Sequence, residues 1–172
     1  MPSPIFAATG SGSITISAFV PEKIATTILD SASSGRHTLI NLDNTSAEFT
    51  FPTNFYSEDL RFDAISYDKA PFVIDKPPPT GKNFIGKVYD FNFYSVSGGG
   101  AISTLLVAPT IVLHYLDSDV SGLNESAIAP YRRGANDSSW SLISGSTVDT
   151  AANTITFVTT TFSTFGIFGA PA

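Results

Sequence analysis

Alternation with a period of two is the dominant pattern along this chain of 172 residues. In residues 87–94, Tyr89, Phe91 and Phe93 fall on one face and Asp90 and Asn92 on the other, as in a strand with one buried side. Residues 46–51 repeat the pattern with Ala47, Phe49 and Phe51 against Glu48 and Thr50. Residues 60–64 place Leu60, Phe62 and Ala64 opposite Arg61 and Asp63, and residues 13–20 align Ile14, Ile16, Ala18 and Val20. Residues 110–116 are apolar on both faces, which predicts a central strand between two layers. Residues 154–160 and 163–168 add two strands rich in β-branched and aromatic side chains. Weaker strand candidates are residues 38–42, 105–107, 128–132 and 139–143.

Turn-forming residues separate these runs. Asp43-Asn44, Ser97-Gly98-Gly99-Gly100, Ser121-Gly122, Gly134-Ala135-Asn136-Asp137 and Ala151-Ala152-Asn153 read as loops. Pro77-Pro78-Pro79 lacks three consecutive N–H donors, so it is excluded from a central strand and reads as a stiff connection between two halves. Residues 22–30 are the one helix candidate, with Pro21 near a first turn and Ile24 and Ile28 four apart; their β-branched content favours a strand. About eleven short strands and little helix predict an all-β, antiparallel β-sandwich, either one layer pair or two halves sharing a core. The expected divisions are an arm or first strand at 1–20, a β half at 21–78 and a second β half at 79–172.

Composition narrows the function classes. Charged residues make up 14% of the chain, and the net charge is −6. That balance offers no basic footprint for nucleic acid. There is no cysteine, hence no disulfide framework and no thiolate metal site. An apolar fraction of 42% is enough to build a core. The longest apolar stretch, residues 102–116, is broken by Ser103, Thr104, Pro109, Thr110 and His114, short of the ~18–20 residues that cross a bilayer. Met1-Pro2-Ser3-Pro4-Ile5 lacks the basic and apolar regions of a signal peptide. With 41 Ser and Thr and few charges, the chain is expected to be extracellular or at a cell surface, its export signal lying outside this sequence.

The most specific stretch is Tyr131-Arg132-Arg133, Trp140-Ser141-Leu142, Ser146 to Thr150, Asn153-Thr154-Ile155-Thr156-Phe157 and Thr160-Thr161-Phe162-Ser163-Thr164-Phe165-Gly166-Ile167-Phe168. This resembles the closing segment of the ZU5/UPA-like and GAIN-related β-sandwich modules of bacterial secreted and cell-surface proteins. Val88-Tyr89-Asp90-Phe91, Ile111 to Tyr115 and Gly122 to Ser126 echo the part upstream, so the likeness covers residues 84–168. It implies an immunoglobulin-like or ZU5/UPA-like sandwich. In cleaving members a His-x-Ser/Thr triplet precedes the last strand: the hydroxyl attacks the preceding carbonyl, and the histidine is the general base. Carried over, Ser163 is the nucleophile and Phe162 owns the scissile carbonyl, but the base position is Thr161, which cannot accept a proton near neutral pH. Losing a general base removes ~10²–10⁴ in rate, so the triplet Thr161, Phe162, Ser163 is expected not to cleave. The histidines, His37 and His114, have no sequence relation to it.

Other residues carry weaker chemistry. Asp117, Asp119 and Ser121 space oxygen atoms like a calcium loop, but the closing position holds Ile128 instead of Glu, so a polar loop is expected and no cofactor is implied. Sugar binding needs exposed flat aromatics; Trp140 is the only tryptophan, a lone tryptophan is more often core than sugar platform, and the resemblance implies that its strand packs inward. Tyr56, Tyr67, Tyr94 and Tyr131 show no platform spacing. Arg132-Arg133 is too small a patch for phosphate. Asn44, Asn124 and Asn136 each open a glycosylation triplet. Lys–Asn or Lys–Asp isopeptide bonds occur in some cysteine-free surface sandwiches, and Lys87 is the best lysine for one; the plainer expectation is a strand-end lysine with its head in water.

These readings converge on a non-catalytic structural or adhesive module whose partners are other modules, copies of itself or surface glycans. The alternatives are a filament subunit using its N-terminal strand as donor, and a carbohydrate-binding module.

Overall fold

The structure is a computed structural model and describes residues 19–172. The predicted strand at 13–20 lies almost wholly outside the described residues. The rest forms an antiparallel β-sandwich. The strands are β1 (Lys23–Leu29), β2 (Gly35–Ile40), β3 (Ser46–Phe51), β4 (Leu60–Tyr67), β5 (Asn83–Ser95), β6 (Ala101–Ile102), β7 (Thr110–His114), β8 (Ala129–Arg133), β9 (Ser141–Leu142), β10 (Thr147–Asp149), β11 (Thr154–Val158) and β12 (Thr164–Gly169). One helix, α1 (Ala70–Asp75), follows β4. The first sheet has the order β1-β4-β5-β12-β8-β9, with β6 added to β5; the second is β10-β11-β7-β3-β2.

The alternating residues meet between the sheets. Phe49 of β3 packs edge-on against Phe91 of β5, with centroids 4.7 Å apart, and against Phe62 of β4 at 4.9 Å. Phe93 stacks on Phe62 and meets Phe162, each at 4.7 Å. Such ring pairs add ~0.5–1.5 kcal/mol each beyond burial. A second apolar cluster lies on the outer face of the first sheet: Tyr67, Phe84, Val88, Tyr131 and Phe168, covered by Phe72 of α1 and by Trp140. The first sheet is therefore buried on both faces where β12 runs between β5 and β8, and β12 is buried along its whole length, while β1 and β9 stay largely exposed.

Several expectations change. Residues 22–30 form β1, whose β-branched side chains pair along β4 from Lys23–Ser66 to Leu29–Leu60. The helix stands instead at α1, opened by Pro71 and by Asp68 Oδ1 accepting the Ala70 N–H at 2.7 Å; six residues are too few to show a helical period. Residues 105–107 are not a strand. Leu105 is buried, Leu106 and Val107 are exposed, and pairing is supplied by β6 and a bridge from Thr104 to Thr161. β7 is central in its sheet but covered on one face alone: Ile111 and Leu113 are buried, while Val112 and His114 are partly exposed. Residues 139–143 reduce to the two of β9. Pro77–Pro79 joins α1 to β5, and strands from both sides of it enter both sheets and the same core.

Candidate functional site

The triplet Thr161, Phe162, Ser163 runs in extended, paired backbone. Phe162 N–H donates to Ser103 O at 2.9 Å, and Ser163 O accepts from Phe91 N–H at 3.1 Å. The Phe162 ring is buried against Phe93 and Phe165. Thr161 is exposed, and its N–H and carbonyl both bond to the Thr159 hydroxyl. The pocket of about 240 Å³ beside Phe162 and Ser163 has Tyr94 as its one titratable neighbour. Both histidines belong to the second sheet: His37 lies on β2 against Phe51, and His114 Nε2 on β7 is 3.3 Å from Glu48 Oε1 on the neighbouring β3. Phe162 and Ser163 both keep negative φ; the non-glycine residues with positive φ are Asn44, Asn54 and Asn153. Neither a base nor backbone strain acts on the Phe162–Ser163 bond among the described residues.

The acidic loop turns its carboxylates apart. Asp117 Oδ1 accepts from Asn153 Nδ2 at 2.7 Å, and Asp119 Oδ2 accepts from Leu116 N–H at 3.0 Å. Asp119 Oδ1 also lies 3.7 Å from Lys69 Nζ, and Ser121 is exposed in a turn. Among the described residues no group of three or more His, Asp or Glu is placed to hold a metal ion. The aromatic candidates are inward or covered. Trp140 is buried between Phe84 and Phe168, and its indole N–H donates to Lys76 O at 3.0 Å. Tyr67 and Tyr131 belong to the same cluster, Tyr56 packs against the main core, and the Arg61 guanidinium lies 4.2 Å over the Tyr94 ring. Arg132 and Arg133 both turn to Asp137, at 3.6 Å from its carboxylate and 3.0 Å from its carbonyl. Asn44, Asn124 and Asn136 are exposed.

Lys87 has the densest polar surroundings. Gly86 and Lys87 are extra residues in β5, opposite the single step from Gly166 to Ile167 in β12. Gly86 has φ +61, which glycine adopts without strain, so the bulge costs little there. The bulge aims Lys87 at the end of the sandwich, where Nζ lies 2.7 Å from Glu22 Oε2 and 3.2 Å from Asp43 Oδ2. The lysine and glutamate side chains are each 14% exposed. The expectation of a lysine head in water is thereby corrected: the two carboxylates draw it inward. Asp43 Oδ1 accepts from Thr45 N–H at 3.0 Å and from the Thr45 hydroxyl at 2.6 Å. Asn41 Nδ2 donates to Thr45 Oγ1 and to Tyr89 Oη, joining the cluster to the core. Burial opposes ionisation of both Lys87 and Asp43, yet the hydrogen bonds and charges across the cluster outweigh it. Lys87 is held above its ordinary value and Asp43 below the usual carboxylate range. The sequence signal for this cluster is the glycine inside the alternating run, which marks a bulge. Glu22, Asn41 and Asp43 lie far away in the chain and carry no local signal.

The remaining surface feature is the open side of the sandwich. Among the described residues, β1 and β2 each have one strand neighbour, and they edge opposite sheets. Two slots between them, of about 220 and about 200 Å³, reach Phe51 and Phe55, and Phe49 and Phe62. Ile24, Ile28, Ile40 and Leu42 stand exposed along these edges. No family model and no curated protein matches this chain.

Proposed function

We propose that this chain is a non-catalytic structural or adhesive β-sandwich module of a cell-surface or secreted assembly, joined to like modules through its open β1–β2 side. The observation that carries the reading is the pair of strand edges that have no further strand neighbour among the described residues and are lined with exposed Ile24, Ile28 and Ile40. An edge presents a row of free N–H and C=O groups that templates another strand, and proteins that stay apart blunt it with charge. Here β1 is apolar or Thr after Lys23, and β2 ends in Thr38, Leu39 and Ile40 after Arg36 and His37. His114 is paired with Glu48, Lys69 with Asp119 and Lys87 with Glu22, which supports a role without catalysis. The resemblance of residues 84–168 to ZU5/UPA-like modules points to the same setting. Sedimentation velocity over rising concentration tests the reading. Wild type is expected to grow in apparent size, and the double variant Ile28→Lys/Ile40→Lys to remain monomeric. A wild type that is monomeric at every concentration removes the edges as a joining surface.

The alternation of Ile14, Ile16, Ala18 and Val20, set before two edges that have no further strand neighbour among the described residues, favours a second reading as a filament subunit. Electron microscopy decides it: ordered filaments should form and should disappear when residues 1–18 are deleted.

A further inference from the structure

We propose that Lys87 and Asp43 form an intramolecular isopeptide bond, with Glu22 moving the protons, so that β5 is covalently tied to the β2–β3 turn of the opposite sheet. Three placements carry this. Lys87 Nζ sits 3.2 Å from Asp43 Oδ2 and 2.7 Å from Glu22 Oε2, so a nucleophile, an electrophile and a proton carrier share one point. Thr45 fixes the carboxyl by bonding Oδ1 twice, which leaves Oδ2 toward the amine. The cluster is largely screened from solvent: Lys87 and Glu22 are 14% exposed and Asp43 27%.

The step balances without any further reagent. Glu22 takes a proton from the Lys87 ammonium, and the freed Nζ lone pair attacks Asp43 Cγ, forming the C–N bond. The Thr45 N–H and O–H stabilise the charge that develops on Oδ1. Glu22 passes its proton to Oδ2, and a second Nζ proton follows by the same route. The Cγ–Oδ2 bond then breaks and water leaves. One ammonium and one carboxylate become one amide and one water; Oδ1 becomes the amide oxygen, and Glu22 ends as it began. The amide removes two of the three charges held in the cluster, and the Glu22 carboxylate, which loses its cation, keeps the remaining Nζ–H as a donor beside it. Because the ion pair is the resting state, as the opposite pKa directions of Lys87 and Asp43 indicate, the reaction depends on a third group to move the proton.

Intact mass measured under denaturing conditions, followed by peptide mapping, tests the bond on the full chain. The expected result is a mass lower by one water, with the Lys87 and Asp43 peptides joined. Glu22→Gln is expected to fold with an unchanged circular dichroism spectrum and to show the full mass. A wild type at full mass overturns the proposal. So does a one-water deficit with Lys87 and Asp43 in separate peptides, which marks a succinimide at Asp43. A deficit of one ammonia overturns it too, because it shows reaction at an asparagine rather than at Asp43. Retention of the bond in Glu22→Gln overturns the role given to Glu22. The bond stands apart from the adhesive reading: a monomeric chain carrying the one-water deficit keeps the first and loses the second.

Discussion

Phe91 is fully buried and touches rings from both sheets: Phe49 at 4.7 Å, Phe165 at 5.0 Å and Tyr89 at 5.5 Å between centroids. Phe91→Ala removes those contacts and leaves a cavity that β strands on both sides hold open. A loss of ~3–5 kcal/mol is expected in urea unfolding, and a smaller loss for Phe91→Leu. His37 gives a pH prediction. Burial beside Phe51 holds its pKa below the ordinary value, so the folded state binds fewer protons than the unfolded state. Its contribution is fully present above the unfolded value of about 6.5 and is lost as pH falls through the folded one. The melting temperature should fall on acidification from pH 7 toward pH 5, and His37→Gln should flatten that part of the profile. Glu48 adds a second loss at lower pH, because the Arg36 hydrogen bond holds its carboxyl below the usual range. Single residues were legible in sequence where the pattern was local. Phe91 is one case, buried as the alternation of residues 87–94 predicts; the partner of Trp140, the Lys76 carbonyl, was not visible.

At the scale of elements, β12 shows what two-sided burial demands. A Cβ on Gly169 would lie 3.0 Å from Ile85 Cδ1 and 3.1 Å from Ile128 Cγ2, and one on Gly166 would lie 3.1 Å from the Phe168 ring. Gly169→Ala should destabilise by ~1–3 kcal/mol through overpacking, measured by thermal unfolding. A neutral result would mean that both isoleucines can yield. The edges of β3 and β12 were legible within a residue because their turn residues and apolar alternation agree. β1 was ambiguous because Ile24 and Ile28 satisfy a helical spacing as well as a strand; the ladder to β4 decided it. α1 was missed because it is held by tertiary contact: Phe72 is buried against Tyr67 at 5.5 Å rather than set in a repeating apolar stripe.

For the whole molecule, the interleaved topology predicts one cooperative unfolding event. Strands from residues 21–78 and 79–172 alternate across both sheets, as in β4 beside β5 and β3 beside β7. Fluorescence of Trp140 and amide exchange in β3 and β4 should report the same midpoint in urea. Separate midpoints would show the two halves to be independent units. The sequence alone determined the β class, the positions of most strands and the buried face of β3, β4 and β5, because side-chain direction in a strand repeats every two residues and needs no distant information. It also placed Lys87 in a strand. Tertiary structure alone decided which strands pair, that the first sheet is covered twice around β12 and the second once, and that Glu22 and Asp43 meet Lys87. Those outcomes depend on residues far apart in the chain being brought within a few ångströms, a condition that local periodicity does not encode.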